Sequence, residues 1–436
     1  MKTISVKAIT NRQGTNKLSS DLACSTTDHI PHTKDYLIIF TLNFIPFNMK
    51  RRILNRRKFF TILGAGSAVL AIKPLSGFSS NSVQTTLKPA TNISDAGKNP
   101  RTSASMPGKF PGKVVVVKNI NSVVNDFPVE AVAYMMLQKS MIELTGQKNL
   151  KKAWRMFVNP GEKIGLKVNP VAGKLLFTSH AVVRSVVKQL TESGIDKKDI
   201  IIWDRRDMEL KDTGFTKENY PGITIRGTEM QDEKGSFVDE NGKLYGERNI
   251  DKNWYYWADV EGEYDAETMP YMVNGGKFSY FTKIVTQEVD KIINIPILKN
   301  AGGSITNAMK NLAFGSVSNT GRLHEKLWND TCAEVCAFPP LRDKTVLNIC
   351  DGLRGCFNGG PGANPQFICN YNSMLVSTDL VAMDRIGYDI IAEKRIAEGL
   401  QKAPAPESLT FLTMADSLGL GISDKNKIDL KMFEMS

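Results

Sequence analysis

Short apolar runs alternate with stretches of helical periodicity through most of the chain after residue 112. Residues 113–119, KVVVVKN, are a β-branched run that predicts a strand. From Pro128, a residue suited to a first helical turn, Val129, Val132, Ala133, Met136, Met141 and Leu144 recur at helical spacing until Gly146. A strand at 163–170 (KIGLKVNP) is followed by a helix capped by Ser179, with Val182, Val183, Val186, Val187 and Leu190 on one face, and then by the apolar strand 199–204 (DIIIWD). Strand, crossover helix and strand make a βαβ unit. The rhythm breaks at about 205–285, a polar stretch with turn signals at Asn241-Gly242 and Asn274-Gly275. It returns with strands at 289–296, 344–351 and 373–379, a helix over 304–315, a long helix from about 379 to 398 and another within 407–424. The pattern predicts an α/β domain over 113–425, a mainly parallel sheet flanked by helices, with an inserted polar, β-rich subdomain at about 205–285 and a tail at 426–436. Within the insert, Trp254, Tyr255, Tyr256 and Trp257 are expected to form its own small core, the alternative being a ligand surface.

Upstream, the pattern is different. Phe59 to Ile72 is an apolar run interrupted by Thr61, Ser67 and two glycines, too short for a bilayer core, which needs ~20 apolar residues in a helix. Basic residues precede it, the layout of an export signal, and Arg56-Arg57 followed by Lys58-Phe59-Phe60 resembles a twin-arginine signal. The alternative is a short buried helix. Met49 before Lys50-Arg51-Arg52 makes a natural signal start, so 49–80 is read as the signal and 1–48 as an unused upstream extension. Residues 81–112, rich in Ser, Thr, Asn, Pro and Gly, read as a flexible linker. These segments imply a periplasmic location and the twin-arginine translocase as a partner during export, with no stable transmembrane span.

Charge follows the same division. Of the formal net charge of +11, +9 falls in residues 1–80, so the domain carries no electrostatic footprint for nucleic acid. Cys24 lies in the leader; Cys332, Cys336, Cys350, Cys356 and Cys369 have neither ferredoxin nor paired zinc-motif spacing, and read as disulfides or buried thiols, with a metal ion or iron–sulfur cluster as the alternative.

Ligands of open parallel sheets bind beyond the carboxyl ends of the strands. Those ends bring Asn169, Asp204, Lys299, Asn300, Asp351 and Asp379 toward one cleft. The densest stretch, 296–326, holds Lys299, Lys310, Asn311 and His324, and Gly302-Gly303 lead into Ser304, where a helix start would present free amides to an anion. The alternative for these glycines is a tight connection. Lys299, Lys310, His324 and Asp351 are the candidate catalytic residues; Gly302, Gly303, Ser304, Asn311, Asn169 and Asp204 the candidate ligand contacts. Asp351, Asp379 and Asp384 are candidate ligands for a hard cation, with a turn at Asp351 and a helix cap at Asp379 as the alternatives.

Pro296 with Lys299, then Thr306, Lys310, Asn311 and Gly315, His324, Asp351-Gly352 with Gly359, Gly360 and Gly362, and Ser377, Asp379, Ala382 and Asp384 follow in an order that resembles the bacterial domain-of-unknown-function family 362. Where many members have a His soon after the first lysine, this chain has Asn300 and Ala301, and it lacks the ferredoxin-type domain of some members. The resemblance implies the fold and the place of the site, not a reaction. The expectation is an exported protein with a small-molecule cleft at strand ends, either an enzyme depending on a metal or redox cofactor, or a binding protein for an anionic small molecule.

Overall fold

The computed structural model describes residues 88–261, 276–301, 304–400 and 409–436. In chain order the main elements are helix α1 (Ile93–Gly97), strands β1 (Lys113–Asn119), β2 (Val123–Val124) and β3 (Phe127–Pro128), helix α2 (Glu130–Thr145), strand β4 (Ile164–Lys167), helix α3 (His180–Glu192), and strands β5 (Ile200–Arg206), β6 (Thr224–Glu229), β7 (Ile250–Trp257) and β8 (Phe278–Thr282). There follow strands β9 (Lys291–Asn294), β10 (Ile297–Ala301) and β11 (Ser304–Thr306), helices α4 (Ala308–Ser316) and α5 (Trp328–Ala337), strands β12 (Thr345–Cys356) and β13 (Ile368–Ser377), helices α6 (Leu380–Ala397) and α7 (Thr410–Ser417), and strand β14 (Asp429–Met435).

The fold is α/β. The main sheet runs β14-β1-β13-β12-β9-β4-β5-β6, with β10 attached to β12 and β11 to β10. Most neighbours are parallel; β1–β13, β12–β13 and β10–β11 are antiparallel. Alternation along each strand feeds two cores, one on each face. Val114, Val116, Ile201 and Trp203 pack with α4, α5 and α6, whereas Val115, Val117, Ile200 and Ile202 pack with α2 and α3. Each fully buried apolar side chain of this size contributes roughly 1.5–3 kcal/mol relative to exposure.

Three expected boundaries move. Residues 88–112 are folded onto the domain instead of forming a flexible linker: α1 buries Ala96, Met106 is buried, and Arg342 donates to the Ala96 and Pro100 carbonyls. The tail 426–436 is structural, because β14 pairs with β1 along its whole length. The insert is narrower than 205–285, since β5 and β6 extend the main sheet to residue 229 and the β7–β8 ladder stands apart from it. The aromatic cluster divides as well. Tyr255 packs with Phe278 and Tyr280, while Tyr256 is buried in the main core against Phe338 and donates to Glu334 (2.8 Å). Among the described residues no helix is long and apolar enough to cross a membrane. Residues 1–87, with the expected export signal at Arg56 and Arg57, lie outside the described residues, as do Gly302 and Gly303.

Candidate functional site

Lys167, Asn294 and Asn348 are register neighbours across β4, β9 and β12, so they stand level at the carboxyl end of the parallel strands. All three are buried beneath α4, where water cannot serve them, and each finds a protein partner. A row of amides results. Lys299 Nζ donates to Asn169 Oδ1 (3.0 Å), Asn169 Nδ2 to Asn311 Oδ1 (3.0 Å), Asn311 Nδ2 to Asn294 Oδ1 (2.8 Å) and Asn294 Nδ2 to Asn348 Oδ1 (3.0 Å). Asn348 Nδ2 closes the row on the Ser377 and Thr378 carbonyls. Lys167 joins from the side, donating to Asp204, to Asn311 Oδ1 (3.0 Å) and to the Val168 carbonyl (2.7 Å). Gly315 is required here: a Cβ on it would lie 2.1 Å from Lys167 Cε.

The lysines are in unequal surroundings. Lys167 is paired with Asp204. Lys299 (0% exposed) and Lys310 (9% exposed) have no carboxylate within ion-pair distance among the described residues. Burial, and then the charge of Lys310, lowers the Lys299 amine to about 7. Burial also lowers Lys310 to about 8, with Arg205 adding to the effect. Arg205 itself is held by Thr320 and Glu229. His324 lies against Phe314 (ring centroids 4.5 Å), as does the Lys310 ammonium (5.6 Å). Its Nδ1 donates to the Thr320 carbonyl (2.9 Å), which leaves Nε2 as an acceptor. Burial, Lys310 and Arg205 hold this imidazole neutral, its pKa lowered to about 3.

The structure thus gathers Lys299, Lys310, Asn311, Asn169 and Asp204, with His324 beside Lys310. It does not gather the carboxylates into a ligand set. Asp351 accepts from the Ser179 and Leu353 amides, and burial raises its pKa. It lies inside β12, not in a turn. Asp379 caps α6 through the Ala382 amide and also accepts from Gly112 and Ile422. Asp384 accepts from the Ala308 and Met309 amides. With their oxygens committed to separate backbone amides, the three do not form a shared cation site. Among the described residues no three His, Cys, Asp or Glu side chains converge as a metal set, and Cys332, Cys336, Cys350, Cys356 and Cys369 are free thiols. Burial pushes the Cys332, Cys336, Cys350 and Cys369 thiols up.

The helix expected to start at Ser304 is corrected too. Ser304–Thr306 is a strand, the return arm of a hairpin with β10, and the helix begins at Ala308. Its first amides already face the Asp384 carboxylate, so they are not an open anion site. Asn300 is turned to the Gly-rich loop, where its Oδ1 accepts from the Gly360 amide (3.0 Å). Sequence reasoning passed over Lys167, Asn294 and Asn348. The signal was present: one polar residue interrupting each of the buried apolar runs KIGLKV, IINIP and VLNIC.

Comparison with known proteins bears on this site. Residues 258–389 match the family model described as a domain of unknown function, DUF362. The span matched to DUF362 contains Lys299, Lys310, Asn311, His324, Asp351, Asp379 and Asp384, and leaves Lys167, Asn169 and Asp204 to the preceding strands. No curated protein matched the chain. Among solved structures, a crystal structure of a Thermotoga maritima protein, a structural-genomics target, is similar at 10% identity and a TM-score of 0.33, over 63% of this chain and 60% of that one.

Proposed function

We propose that the strand-end site binds a small molecule through an anionic group, carboxylate or phosphate. One observation carries this reading: two buried lysines, Lys299 and Lys310, lack a carboxylate partner among the described residues. A buried ammonium without a counter-charge is costly, and an incoming anion supplies the missing partner. The surrounding amides of Asn169 and Asn311 add neutral donors and acceptors. Enzyme and binding protein share this requirement. We also propose that the protein reaches the periplasm by the twin-arginine route, on the strength of Arg56-Arg57 and the apolar run behind them.

The test is thermal unfolding with added phosphate or oxalate. A ligand at a hundred times its Kd stabilises by about 2.7 kcal/mol, enough to move the midpoint by several degrees. Lys299→Ala and Lys310→Ala are each expected to remove the shift. An equal shift in both variants and the parent rejects the site.

A further inference from the structure

Lys299, Ser304 and Thr306 share one face of the β10–β11 hairpin. The register sets Lys299 opposite Thr306 and Ala301 opposite Ser304, and opposed residues of an antiparallel pair project to the same side. Leu298 and Ile305 occupy the other side, inside the core. The Ser304 and Thr306 hydroxyls are buried and lack a hydrogen-bond partner among the described residues. Leaving two hydroxyls so is expensive unless something else uses them.

The amine of Lys299 is equally under-served. An ammonium has three protons to donate. Lys167 places its three on Asp204, Asn311 and Val168, so although burial lowers its pKa each proton of its charged form has an acceptor, one of them a carboxylate. Lys299 has the Asn169 oxygen alone among the described residues. One donor bond and an open lone pair suit a neutral amine, the form that acts as a nucleophile. The lowered pKa of Lys299 agrees with this geometry.

We infer that Lys299 forms an imine with a ligand whose carbonyl lies next to its anionic group, the anion resting on Lys310 and the carbonyl oxygen on the Ser304 and Thr306 hydroxyls. The inference rests on the anion-site reading above. In the step, the neutral amine attacks the carbonyl carbon and the C=O π pair moves to oxygen. That oxygen takes a proton and the nitrogen loses one, giving a carbinolamine. The nitrogen lone pair then forms the C=N bond as the hydroxyl takes up a proton and leaves as water, and the nitrogen gives up its remaining amine proton, so that one water is released and no net proton is consumed. No oxidant or reductant is consumed.

The experiment is borohydride trapping on the whole protein followed by peptide mapping. The carbonyl probes are pyruvate, dihydroxyacetone phosphate and uncharged acetone at equal concentration. Expected is a single stable adduct on Lys299 with one of the two anionic probes and none with acetone; which probe reacts tells carboxylate from phosphate. Lys299→Arg, which keeps a long basic side chain but has no nucleophilic amine, is expected to abolish it. An adduct spread over surface lysines, one confined to Lys310, or none with either anionic probe overturns the inference. The parent protein's peptide map decides the matter even where the variant does not fold. Should trapping fail while phosphate or oxalate still raises the melting temperature in a Lys310-dependent way, the imine falls and the anion site stands; should both fail, both readings fall.

Discussion

Lys299 shows at a single residue how the site trades stability for chemistry. Its folded pKa lies near 7, well below the ordinary lysine value of 10.5, because the charged form is buried. A base depressed in this way contributes its full stability above about 10.5, and that contribution is lost as pH falls through about 7. Lys299→Met removes the titrating group. The variant is expected to gain on the parent as pH drops from 10.5 to 7, by about 3–5 kcal/mol in all. Urea titrations at several pH values measure this, and a pH-independent difference contradicts it. Lysine at 299 was legible in the sequence because it follows an apolar strand in a chain with few histidines. Its solitary partner was not, since Asn169 comes from a different strand end 130 positions earlier.

At the scale of elements, α4 is the piece on which the site depends. All nine of its residues are buried, and its first turn carries Asn311 into the amide row and Lys310 to the face of Phe314 beside His324. The Asp384 carboxylate, reaching over from α6, holds its first two amides. Burial raises Asp384 to about 7, so its contribution is greatest below about pH 4 and is lost as pH climbs to about 7. Asp384→Asn keeps one acceptor and abolishes the titration. It is expected to cost about 1 kcal/mol at pH 4–5 and to flatten the decline toward pH 7, leaving the smaller slope of Asp379, whose own pKa is raised to about 6. Denaturant midpoints across that range check it; an unchanged slope contradicts it. The existence of α4 was readable from its residues, its first residue was not. Gly302-Gly303 before a polar run reads equally as a helix entry or a tight connection, and the register with β10 places Ser304–Thr306 in a strand. Asp379 was the opposite case, a cap marked by its place directly ahead of an apolar helix.

Across the whole molecule the site is assembled from residues as far apart as Lys167 and Ser377, and it exists only when β4, β9, β12 and β13 are already side by side. A chain secreted unfolded would carry none of it. This fits the proposed twin-arginine route, which transports folded proteins. Replacing Arg56 and Arg57 together by lysine is expected to leave the precursor in the cytoplasm, read by fractionation and immunoblotting; undiminished export would remove the proposal. Alternating apolar runs and helical periodicity announced the α/β class. Strand order was hidden, because β14 and β1 are joined from opposite ends of the domain and nothing local marks Asp429–Met435 as β1's neighbour. The linker reading failed for a related reason: small polar residues at 88–112 look unstructured, yet they are held by Arg342, Asp343 and Thr378 from far along the chain.

The amide row has a sense of direction. It begins at an amine, which can only give when charged, and ends at two backbone carbonyls, which can only receive. Between them no single asparagine can turn over without setting like against like at both of its neighbours. The four amides therefore share one setting, fixed by the amines of Lys299 and Lys167 on one side and by the Ser377 and Thr378 carbonyls on the other. A ligand that takes the Lys299 nitrogen away from Asn169 leaves the first amide held from one side, through its bond to Asn311, and the Ser377–Asp379 turn that starts α6 stands at the far end of the same line.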